Sequence, residues 1–442
     1  MTPSLMHFTI PAGCRRVLAA ATLALAMAGC NNFLEVSNPG AIEEPDVDDP
    51  ALIGLMVNGV VGEFQPMFTR VAAYNGVLSD ELRNSHTFID NKPLDMRTFD
   101  NGNSLLNIEI YVPIQRARFM ADTISDRLES LLGDSASHDL RLARTLAYAG
   151  YTYVILGESF CSAPVNVSRA YSSDELMQMG IDRFERAIAV ATAARSAGGN
   201  ATSADSLINL ARVGAARASL DLGDMTAAAT YARDVPADFE FSVYHSDNSV
   251  RENDAYWDAT GGESNGAGAI WLVVDTTYMN LDDPRVPHTP DPIQVMNGDM
   301  HYVPRQGLMF SGYSPSTPGG AVFNKNTGVK FSTGLEARYI VAEAEGATPE
   351  TVDFINERRK VGDPDATEIT LSDDVMAELR DQRRRDFFLD GHRLGDLRRY
   401  EKLYGIDLFP TGSYPGGATG EVYGDQRCWA IPLSEITGNP NL

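Results

Sequence analysis

Between Ala237 and Thr333 a stretch rich in Gly and Pro carries Tyr256, Trp257, Trp271, Tyr278, Tyr302, Phe310 and Tyr313. An exposed Trp or Tyr ring packs against the plane of C–H groups on a sugar, while Asn, Asp and Arg side chains hydrogen-bond its hydroxyls. If these loops bind a saccharide, the contact candidates are Trp257, Tyr256, Tyr278, Tyr302 and Tyr313. Trp271 falls in the short apolar run Ala269 to Val274 and is assigned to the core. His86 and His301 are loop residues with no visible partner and receive no role. Catalytic signatures are absent from the sequence: no H-E-x-x-H, no G-x-S-x-G, no phosphate loop and no dinucleotide fingerprint. Carboxylate pairs can always be picked from 60 acidic residues, so they carry no information about glycoside hydrolysis. The expectation is a binder rather than an enzyme, with no cofactor and no metal site.

The cysteines add an address rather than a reaction. Arg15-Arg16 precede the apolar run Val17 to Met27, which ends in Met27-Ala28-Gly29-Cys30. At about 1.5 Å per residue that run covers about half of a ~30 Å hydrocarbon core, so residues 1–29 read as a signal peptide and not a membrane span. Small residues directly before a cysteine resemble a bacterial lipobox, in which Cys30 becomes the acylated N-terminus and anchors the chain to a membrane. Asn31 in place of Asp after the cysteine points to the outer membrane. No later stretch is expected to span a bilayer. Cys161 and Cys428 remain, and in an oxidising compartment they either pair or are buried separately. Basic residues number 36 against 60 acidic ones, a net charge of −24, which repels a polyanion and excludes nucleic acid as a partner.

The elements that must hold the loops are helical. Residues 30–50, with Pro39, Pro45, Pro50 and clustered acids, read as a tether. Leu52, Met56, Val60, Phe64 and Met67 then mark one apolar helix face. A second helix is predicted from Ser104 to Leu132 with Ile108, Val112, Phe119, Ile124, Leu128 and Leu131 inward and a kink at Pro113. From Asp139 to Leu156 the stripe Ala143, Ala147, Gly150, Val154 allows another helix to approach closely, and Gly157 is taken as its end. The helix Asp174 to Ala194 starts from Ser172 or Ser173 and buries Leu176, Ile181, Phe184, Ile188 and Ala191. After it, Leu207, Leu210, Gly214 and Ala218, the turn Leu222-Gly223-Asp224, a helix with Ala228, Tyr231 and Ala232, and Pro236 give the order of a tetratricopeptide hairpin. Helices return at Gly334 to Glu345 and Pro349 to Lys360. From Asp373 to Tyr404, alternating Arg and Asp suit local ion pairs on a solvated face, with Gly391 as a turn. The tail Ile406 to Leu442 is expected to wrap the outside.

Several C-terminal motifs, taken in order, resemble the SusD/RagB family of nutrient-binding lipoproteins. They are Gly334-Leu335-Glu336-Ala337-Arg338-Tyr339, Ile355-Asn356-Glu357-Arg358-Arg359, and Arg384-Arg385-Asp386-Phe387-Phe388-Leu389-Asp390-Gly391-His392-Arg393. Asp396-Leu397-Arg398-Arg399 and Ile431-Pro432-Leu433-Ser434-Glu435 complete the series. The N-terminal side agrees through Cys30, Phe33-Leu34-Glu35-Val36, Asn38-Pro39 and Ser79-Asp80-Glu81. Asp390 stands where Glu is usual. The resemblance implies a mainly α scaffold of tetratricopeptide-like hairpins with long irregular loops and a few short strands. Its divisions are a helical part at 51–236, a loop-rich insertion at 237–333 and a motif region at 334–442. It implies a lipid-anchored outer-membrane protein that binds an oligosaccharide or other nutrient oligomer and acts as the lid of a SusC-like TonB-dependent transporter. Under it, Asp80, Arg83 and Asn84, after the first helix, join the ligand-contact candidates, and the C-terminal arginines pair with acids and close helix ends. A tetratricopeptide-type scaffold of outer-membrane assembly is the alternative, although it leaves the aromatic loops without a role.

Overall fold

A computed structural model describes residues 48–262, 270–311, 319–415 and 420–442. The leader, Cys30 and Tyr313 lie outside the described residues. The fold is mainly helical. Helix α1 (Ile53–Leu78) buries Met56, Val60, Phe64 and Met67 on the face that the spacing predicts. By length and composition the segment Pro50–Leu78 is apolar enough to cross a membrane, against the expectation that no later stretch would be. Its buried face runs into the core, where Phe64 meets Tyr148 and Phe331 edge-on at 4.7 and 5.2 Å. Core packing accounts for its apolarity.

After β1 (Leu82–Asn84) and the single turn α2 (Asn91–Asp95), a π-helical turn at Leu106–Tyr111 leads into α3 (Val112–Leu132). The expected inward face of this helix is wrong at Ile108, Val112 and Phe119, which are exposed, while Ile110, Ile114, Ala121, Ile124 and Leu128 are buried. The wider π turn shifts the phase, so a 3.6-residue period counted across it points to the other side. Pro113 opens α3 at a position where a missing N–H costs nothing.

Helices α4 (Leu140–Ser159), α5 (Ser173–Ser196), α6 (Ala201–Leu222) and α7 (Met225–Arg233) stack as successive hairpins. Ser172 and Glu175 form a reciprocal capping box at the start of α5. Phe184 of α5 is fully buried between two glycines: a Cβ on Gly150 would stand 2.6 Å from its ring and one on Gly214 2.3 Å. The small-residue stripes thus form a slot for one aromatic ring. Gly157 does not end α4, which runs two residues further.

The remaining helices are α8 (Ala255–Ala259), α9 (Gly334–Glu345), α10 (Pro349–Gly362), α11 (Val375–Asp386), α12 (Arg393–Tyr404) and α13 (Leu433–Gly438). Strands occur as two-stranded ribbons: β1 with β5 (Leu272–Val274), β2 (Ser162–Pro164) with β3 (Ala170–Ser172), β4 (Glu240–Val243) with β8 (Val329–Thr333), and β6 (Ile293–Gln294) with β7 (Met300–His301).

The charged C-terminal segment is not a solvated face. Arg383, Asp386, Asp390, Arg393, Asp396 and Arg399 are all buried. Arg383 and Arg399 converge on Asp396 at 2.7 Å, and Arg399 also reaches Glu343 and Asp221. Arg217 holds Glu158 through two 2.6 Å bonds, and His392 stands between Glu336 and Asp390 at 2.9 and 2.8 Å. Arg398 closes the end of α4 by donating to the carbonyls of Gly157, Glu158 and Phe160. Sign alternation along a helix reports pairing; it cannot report whether the partner lies on the same helix or across the core. Gly391, at φ 83°, turns the chain between α11 and α12 against Ala72.

The tail also departs from expectation. Trp429 is fully buried and donates from Nε1 to Asn75 at 2.8 Å. Cys161 and Cys428 are joined as a disulfide across 267 residues of sequence, with Cα atoms 5.1 Å apart. Trp429 N and O bond the backbone of Ser159 and Cys161 at 2.8 and 3.1 Å, which sews the tail to the end of α4.

Candidate functional site

The loop-rich insertion is fastened at both ends by antiparallel ribbons. The pairing of Glu240 with Thr333 brings its two ends together, and the pairing of Leu82 with Val274 attaches its middle to the segment after α1. Within it, Asp254 caps α8 by accepting from Tyr256 N at 3.0 Å, which sets the direction of Tyr256 and Trp257. On a single turn of helix, adjacent residues point about 100° apart. The structure separates the two accordingly: Tyr256 is wholly buried, packed against Phe310 and Phe323, and Trp257 is half-buried at the surface.

Trp257 lines a cavity of about 500 Å³ together with Thr260, Gly262, Ile270, Gln294, Arg305, Phe323 and Asn324. Local bonds hold its walls. Thr260 pairs with Ile270, Gln306 with Ala321, and Arg305 N donates to Pro287 O at 2.9 Å. Asn324 N donates to Thr327 Oγ1 at 2.8 Å, and the Gln294 side-chain amide donates to Gly298 O at 3.2 Å. The Lys325 ammonium lies 5.0 Å over the Trp257 ring as a cation–π contact. The Arg305 guanidinium has no hydrogen-bond or ion-pair partner among the described residues, and burial alone holds its pKa below the ordinary arginine value. No Asp or Glu stands among the described lining residues. Among the described residues the arrangement is an aromatic ring, two amides, a hydroxyl and a cation without a partner: groups that bind and orient, with no nucleophile–base pair among them.

The other predicted contact residues are dispersed. Tyr278 is fully buried, stacked on Phe388 at 5.2 Å with Arg384 above it, so like Tyr256 it has no free ring face. Tyr302 is half-buried and meets His288 edge-on at 4.9 Å, outside the cavity lining. Asp80 is buried and held by Arg393 through bonds of 2.6 and 2.7 Å, and it serves the frame. Arg83 is buried, with its guanidinium 5.1 Å above the Tyr414 ring and a bond to Pro415 O. Asn84 bonds Asp95 through its N–H at 2.8 Å and Asn91 through its side chain at 2.6 Å. Asp95 is itself fully enclosed, and burial pushes its pKa up to about 6.

Of the candidates among the described residues, Trp257 alone lines the cavity. Arg305, Gln294 and Asn324 escaped notice because nothing in their spacing distinguishes them from other loop residues. Trp271 departs from its expected core place: it is half-buried, edge-on to His86 at 6.4 Å, beside the exposed Phe88.

Residues 336–441 match the SusD family model, and no curated protein sequence matches the chain. Solved structures share the fold at low identity. A SusD superfamily protein from Bacteroides thetaiotaomicron has a TM-score of 0.64 at 13% identity, covering 88% of this chain and 98% of that one. One from Bacteroides vulgatus has a TM-score of 0.62 at 16% identity, covering 89% and 97%. A protein described as a SusD-like carbohydrate binding protein, also from Bacteroides vulgatus, has a TM-score of 0.61 at 14% identity, covering 89% and 97%. Residues 336–441 thus carry the SusD family pattern, and the described fold follows the course of solved SusD superfamily structures.

Proposed function

We propose that the protein is a cell-surface lipoprotein, anchored through acyl groups on Cys30, that binds an oligosaccharide in the Trp257 cavity. It hands the ligand to a SusC-like TonB-dependent outer-membrane transporter over which it closes as a lid. The observation that carries the binding part is the cavity itself: a half-exposed indole beside amide, hydroxyl and guanidinium groups, built from the long loops of a rigid helical frame. The related structure described as carbohydrate-binding supports the ligand class.

Binding follows from the geometry. The indole removes apolar C–H surface of a sugar ring from water, and the amides of Gln294 and Asn324 direct hydrogen bonds to its hydroxyls. None of these groups breaks a bond, so the ligand leaves unchanged, as delivery to a transporter requires. Trp257→Ala should weaken oligosaccharide binding about tenfold while leaving the far-ultraviolet circular dichroism unchanged. Unaltered affinity removes the cavity from the reading. Labelled palmitate should enter the chain and fail to enter Cys30→Ala, and a large TonB-dependent barrel should co-purify with the protein; a barrel-insertion complex in its place would refute the transporter partnership.

A further inference from the structure

Arg305 is half-buried, and unlike the buried arginines its guanidinium has no hydrogen-bond partner among the described residues; Arg83 and Arg97, which lack a carboxylate, bond the carbonyls of Pro415 and Pro410 instead. Arg217, Arg285, Arg383, Arg393 and Arg399 each face a carboxylate within hydrogen-bond distance. In a chain with 60 acidic residues, arginines readily find such partners. Arg305 lines the Trp257 cavity, has no partner among the described residues, and has no Asp or Glu beside it among the described lining residues. A guanidinium taken partly out of water without a counter-charge is costly, and a ligand that brings the charge recovers that cost.

We propose that the cavity selects acidic saccharides, with Arg305 pairing to an oxyanion on the sugar while Trp257 packs on a ring face. This rests on the carbohydrate reading above and narrows it. The planar fork of a guanidinium matches the two oxygens of a uronic acid carboxylate or of a sulfate ester, and it gives two parallel charge-assisted hydrogen bonds to either. A neutral glycan meets the same cavity without relieving the isolated charge. The described lining residues, none of them acidic, also lessen the repulsion that the rest of this strongly negative protein would impose on such a ligand.

The test uses the purified full chain on an array of neutral, uronate-containing and sulfate-ester oligosaccharides, followed by calorimetric titration of the best-bound glycan. The expected result is a best ligand with a carboxylate or a sulfate, and the array identifies which. Methyl-esterifying that carboxylate, or removing that sulfate, should weaken wild-type binding about tenfold to a hundredfold, because hydrogen bonds to charged groups carry roughly twice the strength of neutral ones. Arg305→Gln should bind the charged and capped forms alike, and Arg305→Lys should restore part of the preference. The comparison of charged and capped ligand on the wild type needs no variant, so it decides the matter even if Arg305→Gln folds poorly. A neutral best ligand that Trp257→Ala loses and Arg305→Gln keeps overturns the acidic preference and leaves the carbohydrate reading standing. Retention of no glycan by the wild type overturns both.

Discussion

Replacing glycine by alanine should move stability in opposite directions at two helical positions of this protein. Gly59 lies in α1, and a Cβ there meets nothing within 4 Å. Alanine at that place removes the conformational freedom of glycine from the unfolded chain and is expected to stabilise by about 1 kcal/mol. Gly214 lies in α6, where a Cβ would stand 2.3, 2.6 and 2.8 Å from three atoms of the Phe184 ring. The ring cannot withdraw, because Gly150 of α4 supports its other side with a would-be Cβ at 2.6 Å, and Tyr151 meets it edge-on at 4.9 Å. Overpacking of this kind costs about 1–3 kcal/mol, and the rigid surroundings put this case at the upper end. Subtracting the propensity gain of about 1 kcal/mol leaves a net loss near 2 kcal/mol for Gly214→Ala, about 3 kcal/mol below Gly59→Ala. Urea unfolding followed by circular dichroism reads both variants against the wild type, and adding Phe184→Leu to Gly214→Ala should recover part of the loss. Midpoints that shift the same way in both single variants refute the slot between α4 and α6 as the reason for the glycines.

Other outcomes follow from the same geometry. Cys161→Ser with Cys428→Ser opens a loop of 267 residues, for which chain entropy gives an upper figure of about 5–6 kcal/mol; the thermal midpoint should fall, and a midpoint unchanged by reduction would show that the tail bonds of Trp429 suffice. Burial raises the Asp254 carboxyl well above the usual carboxylate range, so its protonated form favours the fold: that contribution is whole below the unfolded value of about 3.9 and is lost as pH rises through the folded one. Asp254→Asn should therefore be more stable than the wild type at pH 7, with a gap that closes toward pH 4, and a constant gap contradicts this. His392 is pushed down by burial and by Arg217, but Asp390 and Glu336 outweigh them and raise it to about 9. Its stabilisation is complete below about pH 6.5 and fades as pH rises through 9, a decline that His392→Gln should lack when unfolding is followed across that window.

Local information carried the scaffold. The boundaries of α9, a cap at Ser172 or Ser173 and the hairpin of α6 and α7 were legible because caps, glycine stops and 3.6-residue apolar spacing act within one or two turns of chain. The inward face of α3 was not, because the π turn before it resets the phase without leaving a mark in composition. Nor was the fate of Asp80, whose partner Arg393 is 313 residues away.

The candidate site divides in the same manner. Residue types alone suggested a binding surface among the loop aromatics and offered none of the common catalytic signatures, since those depend on which side chains exist at all. Only the folded chain decided that Trp257 faces the cavity while its neighbour Tyr256 faces the core, and that Arg305 arrives there without a counter-charge among the described residues. Exposure and pairing are set by which distant segments pack on a residue. The ribbons of β1 with β5 and β4 with β8 join positions some ninety to two hundred residues apart, contacts that the local pattern of a sequence does not encode.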